Sequence, residues 1–348
     1  MRLTKTAVFL TAFLLLAAAA PAAQNAAGIR PAIAAAAEET PEIAASGTLC
    51  ATVTWQLDKN GTLTVTGSGD MSELTGNLSS YRLKIKKAVI QNTDAAHTLT
   101  AIGAELFRNC SALTEVTLPD TIEVIGYRAF SGCSSLSKCN FPDSLKEIGE
   151  DAFCETALTE LNLPGCALGR EAFYNCKSLK TLTINNGTEI IPAECFRFCT
   201  ALESVMLPDS VQSINCGGYG DEGAFSNCPA LKTVSIGSGI TYIDKNAFQT
   251  KGTELEITFR EGVTAIPDES FYKRTELTKV VLPDSLKTIG ARAFADCSNL
   301  SSCNFPDNLT EIGEDGFKST ALTELTLPGC ALGRHSATNQ KKFLNCDT

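Results

Sequence analysis

The chain is poor in the residues from which most catalytic and metal sites are built. Its 348 residues include two histidines and one tryptophan, and no C-x-x-C pair occurs among its 15 cysteines. His97 and His335 lie far apart in the sequence, so no metal-ligand spacing is present. Basic residues number 29 against 39 acidic ones, without a basic stripe. These absences predict no enzyme, no metal, no cofactor and no nucleic-acid partner.

Long apolar runs are also absent, except at the N-terminus. Residues 7–20 are apolar, follow Arg2 and Lys5, and precede the small-x-small cleavage motif Ala20-Pro21-Ala22. This stretch is short for a membrane span. We predict a signal peptide over residues 1–22, with cleavage as late as residue 37, and no membrane span in the mature chain.

Composition then divides the remaining chain into three segments. Residues 23–47 are rich in alanine, proline and glutamate and are predicted to be a disordered linker. Residues 48–83 contain two alternating runs around Asn60-Gly61, which predict a β-hairpin with a type I′ turn and a buried Trp55. A hairpin at this place would cap a repeat array predicted over residues 84–348.

The array is defined by a phenylalanine that returns at a nearly constant step, as at Phe107, Phe130 and Phe153. Around it recurs the phrase C-x-x-L-x-x-V-x-L-P-x-S-L-x-x-I-G-x-x-A-F, as at 110–130 and 133–153. A period of 20–29 residues with regularly spaced leucines indicates a leucine-rich repeat solenoid, here of about ten coils. The coil phenylalanines are Phe107, Phe130, Phe153, Phe173, Phe196, Phe225, Phe248, Phe271, Phe294 and Phe317.

Each part of the phrase predicts a part of the coil. The L-x-x-V-x-L segment alternates as a short parallel strand, and the following proline ends that strand. The glycine of I-G is expected at a positive φ or in close packing, for example Gly126 and Gly149. The A-F pair fits a short helical or 3₁₀ turn whose phenylalanine fills the coil. The predicted fold is therefore an α/β leucine-rich repeat solenoid, horseshoe-like, with a parallel β face and a short helical or irregular convex side.

Three irregularities interrupt the period. The step from Phe153 to Phe173 is 20 residues, and the step from Phe196 to Phe225 is 29. Residues 133–168 are nearly repeated at 297–332, which indicates duplication of a block of several coils. The long step contains the loop 216–223, where Gly218–Gly223 reads G-x-G-x-x-G by coincidence, outside any βαβ unit. Tyr219, Asp221 and Glu222 on this loop are candidate partner contacts, or simply part of an inserted surface loop.

The cysteines follow the coil. Seven occupy one slot, three residues after the coil phenylalanine: Cys110, Cys133, Cys176, Cys199, Cys228, Cys297 and Cys346. Stacked side chains point the same way, which favours buried free thiols whose S–H groups satisfy turn carbonyls over a column of disulfides. Both interpretations remain open. Free thiols outside a cell would suit an anaerobic niche.

The outward residues of the strands form one polar face. This face is either a solvated β surface or a binding surface, and it lacks the aromatic anchors common at interfaces. Its candidate partner-binding residues are Thr114, Glu115, Thr117, Lys138, Asn140, Glu160, Asn162, Lys180, Thr181, Glu203, Met206, Lys232 and Lys279.

The repeat phrase resembles that of the BspA-like leucine-rich repeat family, and the match is nearly complete at 110–130, 133–153 and 274–294. The resemblance implies a secreted or surface-exposed bacterial protein, and adhesion to a host or neighbouring-cell protein or glycan. The alternative is a self-associating component of the cell envelope, since the sequence stops midway through a coil and end-to-end association would cover that coil.

Overall fold

The computed structural model describes residues 41–71, 74–215, 222–323, 325–327, 329–335 and 343–344, without the side chains of 325, 326, 343 and 344. The predicted signal peptide and residues 23–40 of the predicted linker lie outside these ranges. Residues 41–348 form one unit, a parallel-strand solenoid of about 11 turns. The 3₁₀ turn Ser79–Tyr81 is the one helical segment among the described residues.

The N-terminal part of the unit is an antiparallel sheet that continues into the array. In the sheet, β1 pairs with β2, β2 with β3, and β3 runs parallel to β4. The first strand starts inside the predicted linker, and Trp55 is buried against Tyr81. The capping role of this sheet stays a prediction. The four strands are β1 (Ile43–Cys50), β2 (Val53–Asp58), β3 (Thr62–Gly67) and β4 (Lys87–Asn92).

The hairpin between β2 and β3 is confirmed, but its predicted type I′ turn is wrong. Type I′ needs left-handed backbone at two adjacent residues, whereas only Gly61 (φ 92°) has it in the loop 59–61. The Gly61 N–H donates to the Asp58 carbonyl at 3.2 Å, and the Thr62 N–H donates to the Asp58 carboxylate at 2.7 Å. The loop is therefore one residue longer than a I′ hairpin.

The coils contribute two parallel strand ladders. One joins the L-x-x-V-x-L strands, as predicted; the other joins two-residue strands that end at the isoleucine of I-G and was not predicted. The strands are β5 (Ala101–Ile102), β6 (Glu115–Thr117), β7 (Val124–Ile125), β8 (Lys138–Cys139), β9 (Glu147–Ile148), β10 (Glu160–Leu163), β11 (Ala167–Leu168), β12 (Thr181–Ile184), β13 (Ile190–Ile191), β14 (Ser204–Met206), β15 (Ser213–Ile214), β16 (Thr233–Ile236), β17 (Tyr242–Ile243), β18 (Leu255–Phe259), β19 (Ala265–Ile266), β20 (Leu277–Val281), β21 (Thr288–Ile289), β22 (Ser302–Cys303), β23 (Glu311–Ile312), β24 (Leu325–Thr326), β25 (Ala331–Leu332) and β26 (Phe343–Leu344).

The glycine of I-G is required by close packing between coils. A Cβ on Gly126 would lie 2.9 Å from the Ala104 nitrogen, and a Cβ on Gly149 would lie 2.9 Å from the Tyr127 nitrogen. Real Cβ atoms do not approach backbone so closely, so this slot admits no side chain without a shift of the coil. Of the two reasons predicted for these glycines, close packing is confirmed and a positive φ is wrong.

The positive φ angles fall on other residues instead. Two residues of most described coils are left-handed: one two residues before the coil phenylalanine, such as Arg128 (φ 52°), and one two residues after it, such as Glu155 (φ 61°). Left-handed backbone costs a side-chain-bearing residue about 1 kcal/mol or more, and it interrupts any helix. The A-F segment is therefore a pair of turns, so of the predicted short helical or irregular convex side the irregular form is the one found in the described coils.

The core is a column of stacked phenylalanines. All ten coil phenylalanines are fully buried, and consecutive ring centroids lie 5.0–5.8 Å apart with interplanar angles of 0–19°. The column continues unchanged through the shortened step after Phe153 and the lengthened step after Phe196. Differences in coil length are therefore absorbed in the turns and strands.

Candidate partner-binding face

The outward residues of the first ladder form an exposed polar face, as predicted. Glu115 is half-buried, and the other 12 predicted residues of this face are exposed or partly exposed. The alternation holds within each strand: Thr117 is exposed, whereas Val116 and Leu118 are 2% and 3% exposed. The predicted residues therefore share one side of the ladder, spread over several coils, and most of them are not in mutual contact.

Two of the charged residues of this face, Glu115 and Lys279, form cross-strand ion pairs. Lys87 Nζ lies 3.1 Å from Glu115 Oε2, and Lys279 Nζ lies 3.0 Å from Glu256 Oε1. Exposed pairs of this kind contribute little to stability, typically less than about 1 kcal/mol. In the part of the face that the structure describes, Lys138 and Glu160 make no ion pair. These two charges are therefore available to a partner.

The face is interrupted at the shortened coil. The first ladder ends at β8 and resumes at β10, so β8 and β10 belong to different sheets. Their Cα atoms lie more than 8 Å apart, whereas paired strands are about 4.8 Å apart. The ladder ends again at β22 in the duplicated block, where β24 pairs with β26. Because the shortened coil carries its strand one residue nearer to its phenylalanine, the strand loses register with the coil before it.

A groove of about 410 Å³ opens at the first break. It brings together five of the predicted residues, from three coils, in one concave site. Its lining residues are Glu115, Val116, Thr117, Ser137, Lys138, Cys139, Asn140, Leu158, Thr159 and Glu160. The floor is apolar, since Val116 and Leu158 are buried, and the walls are polar.

Asn140 in this groove has a structural role. Its side-chain oxygen accepts from the Leu118 N–H at 2.7 Å, and its side-chain nitrogen donates to the Leu118 carbonyl at 2.8 Å. Asn304 makes the same two bonds to Leu282, at 2.8 and 2.7 Å. The side-chain amide of Asn140 thus continues the hydrogen bonding between the β6 and β8 segments beyond Cys139, where the backbone pairing of these two strands ends. Phe141 follows and packs edge-on against Phe153, with centroids 5.3 Å apart, beside the break.

The second predicted contact region, the inserted loop, is described only at its end. Tyr219 and Asp221 lie outside the described residues. Glu222 is half-buried, and its Oε1 lies 2.8 Å from the Arg197 guanidinium. Arg197 also contacts Glu194 at 2.8 Å and lies over the Phe198 ring at 4.5 Å. The Glu222 carboxylate therefore holds the described end of the loop against the array.

The cysteine slot is a column of hydrogen-bonding thiols. Apart from Cys330, the cysteines that the structure describes are free thiols. Five thiols of the slot donate to the carbonyl of the phenylalanine one coil earlier, at 3.0–3.3 Å, as the sequence predicted: Cys133, Cys176, Cys199, Cys228 and Cys297. Burial raises the pKa of Cys228 and of Cys297 from 9.0 to about 12. These two thiols therefore stay neutral and unreactive at ordinary pH.

Neither a metal site nor a membrane span is found in the described part of the chain. No three His, Cys, Asp or Glu side chains gather there in a way that could hold an ion. Among the described residues, no helix is long and apolar enough to cross a membrane.

Sequence reasoning identified the exposed face but missed the break in it. The signals were present at three neighbouring points: Cys139 stands where other strands have valine, Asn140 is followed by the bulky Phe141, and the next step is 20 residues. Only the structure shows that these features together end a sheet and open a groove.

Two parallel ladders, a stacked aromatic core and a regular repeat with one phenylalanine in each coil define the class of leucine-rich repeat solenoids. A family model for the BspA type leucine rich repeat region matches six copies over residues 100–220, 166–273 and 220–347. The chain belongs to this BspA-type leucine-rich repeat family. None of the curated proteins compared with the chain matches it.

Solved structures of bacterial repeat proteins are similar to the chain. A leucine-rich repeat protein from Eubacterium ventriosum is 22% identical, with 86% of this chain and 98% of that one covered and a TM-score of 0.42. The leucine rich repeat protein of T. pallidum is 20% identical (73% and 91% covered, TM-score 0.41), and one from Bacteroides ovatus is 24% identical (84% and 93%, TM-score 0.35). The family assignment rests on the family model.

Proposed function

We propose that the chain is a secreted or surface-exposed, non-enzymatic binding protein that recognises a protein or glycan of a host or neighbouring cell through its strand face. The observation that carries this proposal is the groove at the ladder break, where Lys138 and Glu160 are exposed and unpaired within the described chain. Membership of the repeat family supports a role in protein interaction. The free thiols support a reducing, anaerobic niche.

Binding to an array of matrix proteins, mucins and glycans tests the proposal. We expect a saturable partner whose affinity falls about tenfold or more when Lys138→Glu and Glu160→Lys are combined, because desolvated charges at a contact are sensitive to sign. The matched control combines Glu256→Lys with Lys279→Glu, which keeps the net charge and the cross-strand pair on the same face. Equal binding by the two double variants would contradict a site at the groove, and no saturable partner would contradict the function.

A second candidate, a self-associating component of the cell envelope, is supported by the outer edge of β1. This strand is the first of its sheet, eight residues long and without a charged side chain. The Leu49 carbonyl on this edge accepts from the N–H groups of Thr75 and Gly76 at 2.8 and 2.9 Å and from the Thr75 hydroxyl at 3.4 Å. No other hydrogen bond to this edge occurs in the described ranges. Uncharged edge strands pair readily with other strands, and two copies of β1 would form a symmetric antiparallel pair.

Sedimentation velocity over a range of concentrations tests self-association. We expect a dimer that is lost when Ala44→Lys and Ser46→Lys place charges along the exposed edge, because lysine opposes edge-to-edge pairing. Thr64→Lys with Thr66→Lys on β3, which is paired on both sides, serves as the control. A monomer at every concentration would refute the idea.

A further inference from the structure

The break in the first ladder leaves two strands facing each other across a gap. β8 pairs with β6, where Lys138 lies opposite Glu115, and β10 pairs with β12, where Glu160 lies opposite Thr181. The facing edges of β8 and β10 are not joined by a ladder, and their Cα atoms lie more than 8 Å apart. A strand inserted between two others needs about twice the usual spacing of 4.8 Å. The separation of more than 8 Å leaves room for one extended segment at β8 and β10, and the gap closes just before these strands, where the Ala157 N–H donates to the Leu136 carbonyl at 3.0 Å.

We propose that this gap binds one extended, uncharged peptide segment of a partner protein as an added strand between β8 and β10. The proposal rests on the proposed binding function and names its site and the chemistry of its partner. Strand addition draws its affinity from main-chain hydrogen bonds and its specificity from alternate side chains. The main-chain groups along the facing edges of β8 and β10 provide the first of these.

The floor of the groove determines the inward residues of the segment. Val116 and Leu158 are each 2% exposed, and the Cys139 thiol is partly buried beside them. Successive residues of a strand point to opposite sides, so every second residue of the bound segment would face this apolar floor. These residues would therefore be aliphatic.

The walls of the groove determine the outward residues. The outward row across the ladder carries Lys138 on one side of the gap and Glu160 on the other, both exposed. A charged residue of either sign between them would be attracted by one of the two and repelled by the other, so a charge gains no net pairing there. Beyond Glu160 the row continues with uncharged residues on the next three strands, Thr181, Ser204 and Thr233. The outward residues of the segment are therefore threonine, serine or glutamine.

A capped, fluorescein-labelled peptide of the sequence Thr-Val-Gln-Val-Thr-Val-Gln tests the proposal by fluorescence anisotropy with the full chain. We expect saturable binding, weakened about tenfold or more when alternate amides are N-methylated, because those amides can no longer donate hydrogen bonds. This comparison needs no variant protein. Equal binding of both peptides would overturn the proposal.

A matched pair of variants locates the site. Lys138→Trp fills the gap, and Thr233→Trp places the same side chain at an exposed position of the unbroken ladder. Both proteins also carry Ser302→Trp, because the ladder breaks again after β22. We expect the Lys138→Trp protein to bind the peptide about tenfold or more weakly than the Thr233→Trp protein, because only the former blocks the gap. Thermal melting checks that both are folded.

The outcomes separate this proposal from the function on which it rests. Equal affinities of the two tryptophan variants would place any peptide binding elsewhere and overturn the strand-insertion site. Suppose that no peptide binds, but that a partner found among the matrix proteins, mucins and glycans no longer binds the Lys138→Glu, Glu160→Lys protein. The binding function then stands, and strand insertion fails. If the peptide binds as expected and the array yields no partner, the gap stands and the class of partner tested in the array is wrong.

Discussion

Replacing Phe130 by alanine is expected to lower the free energy of unfolding by about 3–5 kcal/mol. The ring is fully buried, and its centroid lies 5.1 Å from that of Phe107 and 5.1 Å from that of Phe153. Its loss leaves a cavity between two rings that cannot close, because the backbones of the neighbouring coils are held by both strand ladders. Urea unfolding, followed by far-ultraviolet circular dichroism and by Trp55 fluorescence, measures the change.

The control for this prediction lies three residues earlier in the same coil. Tyr127 is 40% exposed, and its ring contacts the Arg128 guanidinium at 4.6 Å. Tyr127→Ala removes an aromatic ring of similar size outside the column, so it is expected to cost about 1 kcal/mol or less. A loss at Phe130 no larger than the loss at Tyr127 would show that the column does not carry the stability of the array.

The chain is also expected to lose stability steeply as the pH rises above about 9. Each buried thiol with a raised pKa stabilises the folded state fully below its ordinary value of 9.0, and this contribution is lost as the pH rises towards about 12. For Cys228 and Cys297 together the loss is about 3 kcal/mol between about pH 8 and about pH 10, since one pKa unit corresponds to about 1.4 kcal/mol for each thiol. Urea titrations at the two pH values measure it.

Serine at the same two positions isolates the thiols from the other groups that titrate in this range. Cys228→Ser with Cys297→Ser keeps a donor for the carbonyls of Phe196 and Phe271 but cannot ionise below about pH 12. The difference in unfolding free energy between the natural chain and this variant should shift by about 3 kcal/mol over the same interval. A constant difference would mean that the thiols do not contribute to alkaline unfolding.

The core of the fold could be predicted from the sequence because one residue type marks it in every coil. A large apolar residue that recurs at a fixed step is expected in the core. The series Phe107 to Phe317 therefore predicted both the period of the repeat and the residue inside each coil. The thiol column was predicted for the same reason, since Cys133 and its equivalents recur at one slot. The exposed strand face followed from alternation in the first ladder.

The remaining features have no comparable signal in the sequence. A two-residue strand such as Val124–Ile125 is too short to show alternation, so the second ladder was missed. Left-handed backbone falls on residues as different as Arg128, Asp151 and Asn109, which carry no common mark. The groove depends on the register between two coils, a relation between distant residues that composition and spacing do not contain. The curvature of the solenoid stays a prediction.

The phenylalanine column has an evolutionary consequence. Short, regular and long steps between phenylalanines all place consecutive rings 5.0–5.8 Å apart, so a gene can gain or lose codons between two phenylalanines without changing the core. The shortened coil that accompanies the gap after β8 is an example of such a change in length. Residues 133–168 and 297–332 are near-copies of one another, and both carry the gap, after β8 and after β22. A surface site created by a change in coil length can therefore be multiplied in this array by duplication.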